Sequence, residues 1–170
     1  LDEAGIREAG GYLSIFKASG EDLGMQDRPL FSPKVWQQVL RPILRRRLQA
    51  ARQALDRYDA PHVKIMLHSD GAIRPFIPDL IIDGVQVLDP IQTACAGMEV
   101  DGLKRDFGAD LVFHGTIDAQ RILPFASPKE VEHETIRVMR TLGPGGGLIL
   151  GPVHNVQPDV APENLVAMCR

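Results

Sequence analysis

Strand-like and helix-like segments alternate along all 170 residues without a break. Such alternation with short connections forces the strands to run parallel, because each crossover returns the chain to the same end of the sheet. Strands are read at residues 12–18, 63–69, 85–89, 111–115 and 147–153. Helices are expected over 33–58, 74–83 and 99–107, and from Ser127-Pro128 to about Leu142. A helix end precedes the first strand at 2–10, and a last helix opens at Pro162. Ser32 is placed to cap Pro33, and Ser127 with Glu130 makes an S-x-x-E capping box. Within 33–58, Val35, Val39, Ile43, Leu44, Leu48, Ala51 and Leu55 recur at helical spacing, which marks a buried stripe. Arg45, Arg46, Arg47 and Arg52 then form its solvated face.

Two α/β architectures accommodate this order. An open doubly wound sheet predicts a glycine-rich phosphate loop after the first strand, and residues 12–18 are followed by none. The polar residues instead gather just beyond each strand: Glu21 and Asp22, His68 and Asp70, Asp89 and Gln92, Asp118 and Gln120, His154 and Gln157. Functional side chains at every C-terminal strand end are the pattern of a (β/α)₈ barrel, which typically needs about 250 residues. The expected fold is therefore a partial (β/α)₈ barrel. Such an arc leaves open edges and an uncovered inner face. Met66, Leu88, Leu111, Phe113 and Leu150 are candidates to line that face, depending on strand parity. The piece is expected to form a homodimer or to pair with a missing N-terminal half. A first residue of Leu1 rather than Met agrees with a piece of a longer chain.

Composition narrows the function classes. A net charge of -3 argues against nucleic-acid binding. No apolar run approaches the roughly 20 residues of a membrane span, and no basic-then-apolar leader opens the chain. Cys95 and Cys169 make neither a disulfide framework nor a thiolate cluster. A cytoplasmic location is expected, with a core that must be aliphatic because aromatics are only 5%.

The sharpest local feature is Lys64-Ile65-Met66-Leu67-His68-Ser69-Asp70-Gly71. Strand alternation sends Val63, Ile65 and Leu67 toward the helices and Lys64, Met66, His68 and Asp70 toward the interior and mouth. His68 and Asp70 then project side by side, either as two ligands of one metal or as a hydrogen-bonded pair that fixes the loop. A second apolar strand delivers His154 at its end, past Gly151. A barrel gathers strand ends, so His154 joins His68 and Asp70 in a candidate metal set. Two imidazoles and a carboxylate suit Zn²⁺, or Fe²⁺ in a facial triad. His114, inside its strand, is read as a packed core residue, and Asp118, beyond the strand end, as a catalytic or substrate-binding candidate. Asp22, Gln26, Gln92 and Gln120 are assigned to substrate binding.

Ordered motifs run through the chain: Glu21-Asp22-Leu23-Gly24-Met25-Gln26, Ser32-Pro33, His68-Ser69-Asp70-Gly71, Ile77-Pro78-Asp79-Leu80 and Leu88-Asp89-Pro90-Ile91-Gln92. Gly97-Met98, Leu103-Lys104, Phe107-Gly108, Gly115-Thr116-Ile117-Asp118, Gly145-Gly146-Gly147 and His154-Asn155-Val156-Gln157-Pro158-Asp159 follow. Together and in order, they resemble the C-terminal half of the uroporphyrinogen decarboxylase superfamily, over essentially the whole chain. The resemblance implies that residues 1–170 are the C-terminal part of one barrel domain, supplying strands four to eight. It implies one of two activities. One is zinc-dependent methyl transfer between a corrinoid protein and a small acceptor. The other is cofactor-independent decarboxylation of uroporphyrinogen III, a tetrapyrrole of porphyrin biosynthesis.

His68 matches the histidine of the methyltransferases' H-x-C zinc motif, and Asp70 stands where that motif has cysteine. His154 falls where the methyltransferases carry a cysteine ligand and the decarboxylases a substrate-site histidine. Carboxylate and imidazole in place of thiolates make a harder site, which favours a different acceptor or metal. The H-x-D pair favours the methyltransferase-like branch, with a divalent metal and a corrinoid as cofactors. On the decarboxylase reading there is no cofactor, and Asp118 or His154 binds pyrrole N–H groups or a propionate. A non-catalytic half-barrel that binds a partner is the third reading, and the isolated piece is one that can lack activity.

Overall fold

The structure, a computed structural model, describes residues 2–170. Strands β1 (Ile15–Gly20), β2 (Lys64–His68), β3 (Val87–Asp89), β4 (Val112–Ile117) and β5 (Leu148–Pro152) form one sheet in chain order. Every neighbouring pair is parallel. Spatial order that follows chain order is how a barrel wall is laid down, whereas a doubly wound sheet reverses order at a switch point. The fold is thus a partial α/β barrel. Strand β1 starts later than expected because Tyr12 belongs to a 3₁₀ turn, Gly10–Tyr12.

The helices are α1 (Asp2–Ala9), α2 (Pro33–Val35), α3 (Arg41–Arg57), α4 (Ile77–Ile82), α5 (Val100–Phe107), α6 (Ile122–Phe125), α7 (Pro128–Leu142) and α8 (Pro162–Met168). The Ser32 cap forms, and so does the Ser127–Glu130 capping box. Helix α6 has no counterpart in the sequence reading. None of the described helices is long and apolar enough to cross a membrane.

Register decides what each face of the sheet carries. Leu67 pairs with Leu88, and Leu88 with Phe113. All three are fully buried beneath the helices, each contributing about 1.5–3 kcal/mol by leaving water. Leu88, Leu111 and Phe113 are therefore not exposed lining, because they share the parity of Leu67 and face the helical layer. Met66 and Leu150 are half-buried, and Leu150 packs against the core. On the opposite face, Met66, Val87 and Val112 form one level. His68, Asp89 and His114 form the next, two residues nearer the C-terminal strand ends.

The long helical segment buries Leu44, Leu48 and Leu55 of the expected stripe, with Ala51 packed against the core, but not its N-terminal members. A π turn, Trp36–Leu40, joins α2 to α3. Two apolar rows at i, i+4 spacing compete here, and the row holding Trp36, Leu44 and Leu48 wins. Trp36 stacks on Phe76 at 4.5 Å and donates its indole N–H to Asp79 at 2.7 Å. Val35, Val39 and Ile43 are left 40%, 52% and 56% exposed. Arg45, Arg46 and Arg47 are exposed as expected. Arg52 is only partly solvated: its guanidinium donates to the Val63 carbonyl at 2.9 Å and to the Gln86 side chain at 3.0 Å, tying α3 to the residues that lead into β2 and β3.

Candidate metal centre

The loops after β1 and β2 carry the first acidic groups, and glycine lets them touch. Gly24 and Gly71 lie backbone to backbone: a Cβ on Gly24 would sit 2.6 Å from the Ala72 nitrogen. Gly71 has φ +90°, a conformation open chiefly to glycine. The crossing is laced by the Ala72 N–H on the Met25 carbonyl at 2.7 Å and the Leu23 N–H on the buried Ser69 hydroxyl at 3.0 Å. Asp22 thereby lies beside Asp70, and accepts the Asp70 N–H at 3.3 Å.

Around that crossing, His68, Asp70 and His154 each offer one ligand atom, all within 4.8 Å of one another. His68 Nε2 lies 3.6 Å from Asp70 Oδ2 and 3.9 Å from Asp22 Oδ1. The His68 and His154 rings meet edge to face with centroids 6.2 Å apart. Bond lengths of about 2.0–2.2 Å around a tetrahedral ion separate its ligand atoms by roughly 3.3–3.6 Å. The His68–Asp70 spacing already meets that, and the set closes with movements of about 1 Å.

The chemistry of the donors fits a divalent cation. Asp70 Oδ1 is buried and has no hydrogen-bond partner, an expense that a protein ordinarily avoids. Burial raises the Asp70 carboxyl above the usual carboxylate range, and the His68 charge only partly offsets it. A cation would supply what both observations lack. The nitrogens are prepared too. His68 Nδ1 is engaged by Asp89 Oδ2 at 2.8 Å, which turns Nε2 toward Asp22 and Asp70. Carboxylate-oriented imidazoles are the usual second layer of metal sites.

The sequence reading counts Asp89 among the polar strand-end residues without giving it a role, and places His114 in the core. In the structure His114 Nδ1 meets the second Asp89 oxygen at 2.6 Å, and its side chain is 35% exposed. The β3–β4 register is the reason, since it sets His114 level with Asp89 on the inner face.

Of the remaining candidates, Asp22 alone touches the cluster of ligand atoms. Gln26, Gln92, Asp118 and Gln120 share an adjacent small cleft with buried Cys95. Gln92 accepts the Gly71 N–H at 2.6 Å. Asp118 accepts the N–H groups of Gln120 and Arg121 at 2.6 and 2.9 Å, closing its own turn. Gln26 accepts from the Cys95 thiol at 3.3 Å. On the other side, Asp22 and Arg47 edge an apolar groove of about 330 Å³ walled by Leu23, Phe31, Trp36 and Leu40.

Known proteins share this framework. The family model described as uroporphyrinogen decarboxylase (URO-D) matches residues 13–170. A uroporphyrinogen decarboxylase of Alkalilimnicola ehrlichii is 27% identical over 163 residues, which cover 92% of this chain and 38% of that protein. A solved methyltransferase from Methanosarcina mazei superposes with a TM-score of 0.68 at 17% identity, over 99% of this chain and 45% of its own, a likeness of fold. The chain thus spans less than half the length of either relative. With the family match running from Leu13 to the last residue over a parallel barrel wall, the chain belongs to the uroporphyrinogen decarboxylase family.

Proposed function

We propose that the chain is the C-terminal part of a single barrel domain whose activity is metal-assisted methyl transfer between a corrinoid protein and a small acceptor. The observation that carries this reading is the His68–Asp70–His154 set, with its ligand atoms within 4.8 Å and one Asp70 oxygen unpartnered. Zinc or another divalent ion held there would supply Lewis acidity to an acceptor or donor group. His68, Asp70 and His154 would hold it. Asp22, beside His68, favours a cationic or hydrogen-bond-donating group on the incoming reactant. Nitrogen and oxygen donors without thiolate favour an acceptor harder than a thiol. The groove beside Asp22 offers an apolar wall to that reactant. Asp118, Gln26, Gln92 and Gln120 act through the cleft next to it, with the corrinoid protein covering the mouth. The inner face is completed by the N-terminal half of the barrel or by a second copy of the chain.

Decarboxylation of uroporphyrinogen III is the second reading, favoured by the name of the 27% identical relative. It needs no metal, and His154 and Asp118 then bind the tetrapyrrole. Two substitutions separate the readings when metal content and turnover are measured on the chain together with its complementary half. Under methyl transfer, His68→Ala removes both the metal and transfer from methylated corrinoid. Under decarboxylation, His68→Ala is tolerated and His154→Ala weakens tetrapyrrole binding.

A further inference from the structure

Asp89 closes β3 between β2 and β4, and its position is set by the sheet ladder on both sides. The Ser69 N–H donates to the Asp89 carbonyl at 2.7 Å, and the Ile91 N–H donates to the His114 carbonyl at 3.0 Å. Its side chain is only 15% exposed, and each oxygen takes a different imidazole: Oδ2 the Nδ1 of His68, Oδ1 the Nδ1 of His114. An ionised carboxylate accepts and cannot donate. A carboxylate bridging two Nδ1 atoms is satisfied when each ring donates its Nδ1–H to it, which turns both Nε2 edges away from Asp89. Free neutral imidazole side chains prefer the opposite arrangement, with the proton on Nε2, so the carboxylate imposes the rarer form.

We propose that Asp89 is a positioning residue that holds His68 and His114 together as Nδ1–H tautomers. It presents His68 Nε2 as a ready ligand and leaves His114 Nε2 as a second acceptor nitrogen at the mouth. The His68 part rests on the metal reading above, whereas the tautomer clamp itself does not. One carboxylate that spans three adjacent strands also makes the orientation of the ligand depend on sheet register rather than on loop conformation. His114 Nε2 has no hydrogen-bond partner among the described residues, and its ring is within reach of solvent. It therefore suits an O–H or N–H group of the reactant.

The test is multiple-bond ¹⁵N–¹H NMR of the metal-free chain at about pH 8, above the ordinary imidazole range, paired with zinc affinity from chelator competition. In the unaltered protein both His68 and His114 are expected as Nδ1–H tautomers. Asp89→Asn offers one acceptor oxygen and one amide donor, so at least one ring should revert to Nε2–H. Zinc affinity should fall about 10–100-fold, as for other groups that orient a ligand. His114→Gln should leave the His68 tautomer unchanged, since the second Asp89 oxygen still holds it. His68 seen as Nε2–H in the unaltered protein would overturn the proposal even if every variant failed to fold. So would a folded Asp89→Asn chain with both tautomers intact, whether zinc affinity held or collapsed; collapse would make Asp89 a ligand itself. Nδ1–H tautomers in a chain that binds no zinc would uphold the clamp and remove the metal reading.

Discussion

Two groups of polar side chains crown the same sheet, and they differ in how much of their bonding capacity is already used. In the cleft of Gln26, Gln92, Cys95 and Asp118, the oxygen of each amide and one of the carboxylate are already taken by the protein's own loops. Gln92 holds Gly71, Asp118 closes its own turn, and Gln26 takes the Cys95 thiol. In the neighbouring cluster, Asp70 Oδ1 has no partner, and His68 is anchored through Nδ1 so that Nε2 stays open. Both groups look alike along the chain, as polar residues after strands. The difference teaches that a buried, unused valence marks a metal-binding centre more sharply than polarity does.

Substitutions in the two groups should therefore fail in different ways. The largest effect belongs to the open cluster. His68→Ala should lower the affinity for a divalent ion by more than about 100-fold, beyond what groups behind the ligands cost, with little change in the melting temperature of the metal-free chain. Chelator competition and a thermal melt measure the two quantities. The loop crossing beneath both groups comes next. Gly71→Ala forces a positive φ on a side chain and drives it into the Gly24 backbone. It should destabilise the fold by about 3 kcal/mol or more, read as a shifted denaturation midpoint.

Gln92→Ala leaves the buried Gly71 N–H unmet and should cost about 1–3 kcal/mol. If it instead removed metal binding at unchanged stability, the distinction between the groups would collapse. The smallest effect is chemical. Burial, with Asp70 and Asp118 nearby, pushes the Cys95 thiol above its ordinary range. Because the thiolate is the reactive form, Cys95 should resist iodoacetamide near neutrality and react faster only as pH rises. Exposed Cys169 should label first, as peptide mapping of the alkylated chain would show.

Much of the frame was legible in the sequence. Unbroken β–α alternation led to five parallel strands in chain order, and the capping box at Ser127 and Glu130 marked the start of α7. Strand alternation was enough to set His68 beside Asp70, and the barrel topology was enough to bring in His154. What escaped depends on register or on competition. Asp89 and His114 are 25 positions apart, and only the β3–β4 pairing makes them level. The stripe of the long helix offered two apolar rows of similar hydrophobicity. Trp36, with Phe76 and Asp79 as partners across the fold, decided between them. Arg52 read as a surface charge because its acceptors are backbone carbonyls and a glutamine, which no local pattern announces.

The central claim is that His68, Asp70 and His154 form a metal centre, and the most direct test is metal binding by the intact chain. The chain is purified without chelator, analysed for metals, then stripped and titrated with Co²⁺. The account predicts one divalent ion per chain and a visible Co²⁺ spectrum of low coordination with nitrogen and oxygen ligands. Both should be lost when Asp70 is changed to Ala. A folded chain that arrives free of metal and takes up neither Co²⁺ nor Zn²⁺ at about 1 mM, where any affinity better than roughly 4 kcal/mol would register, would contradict it.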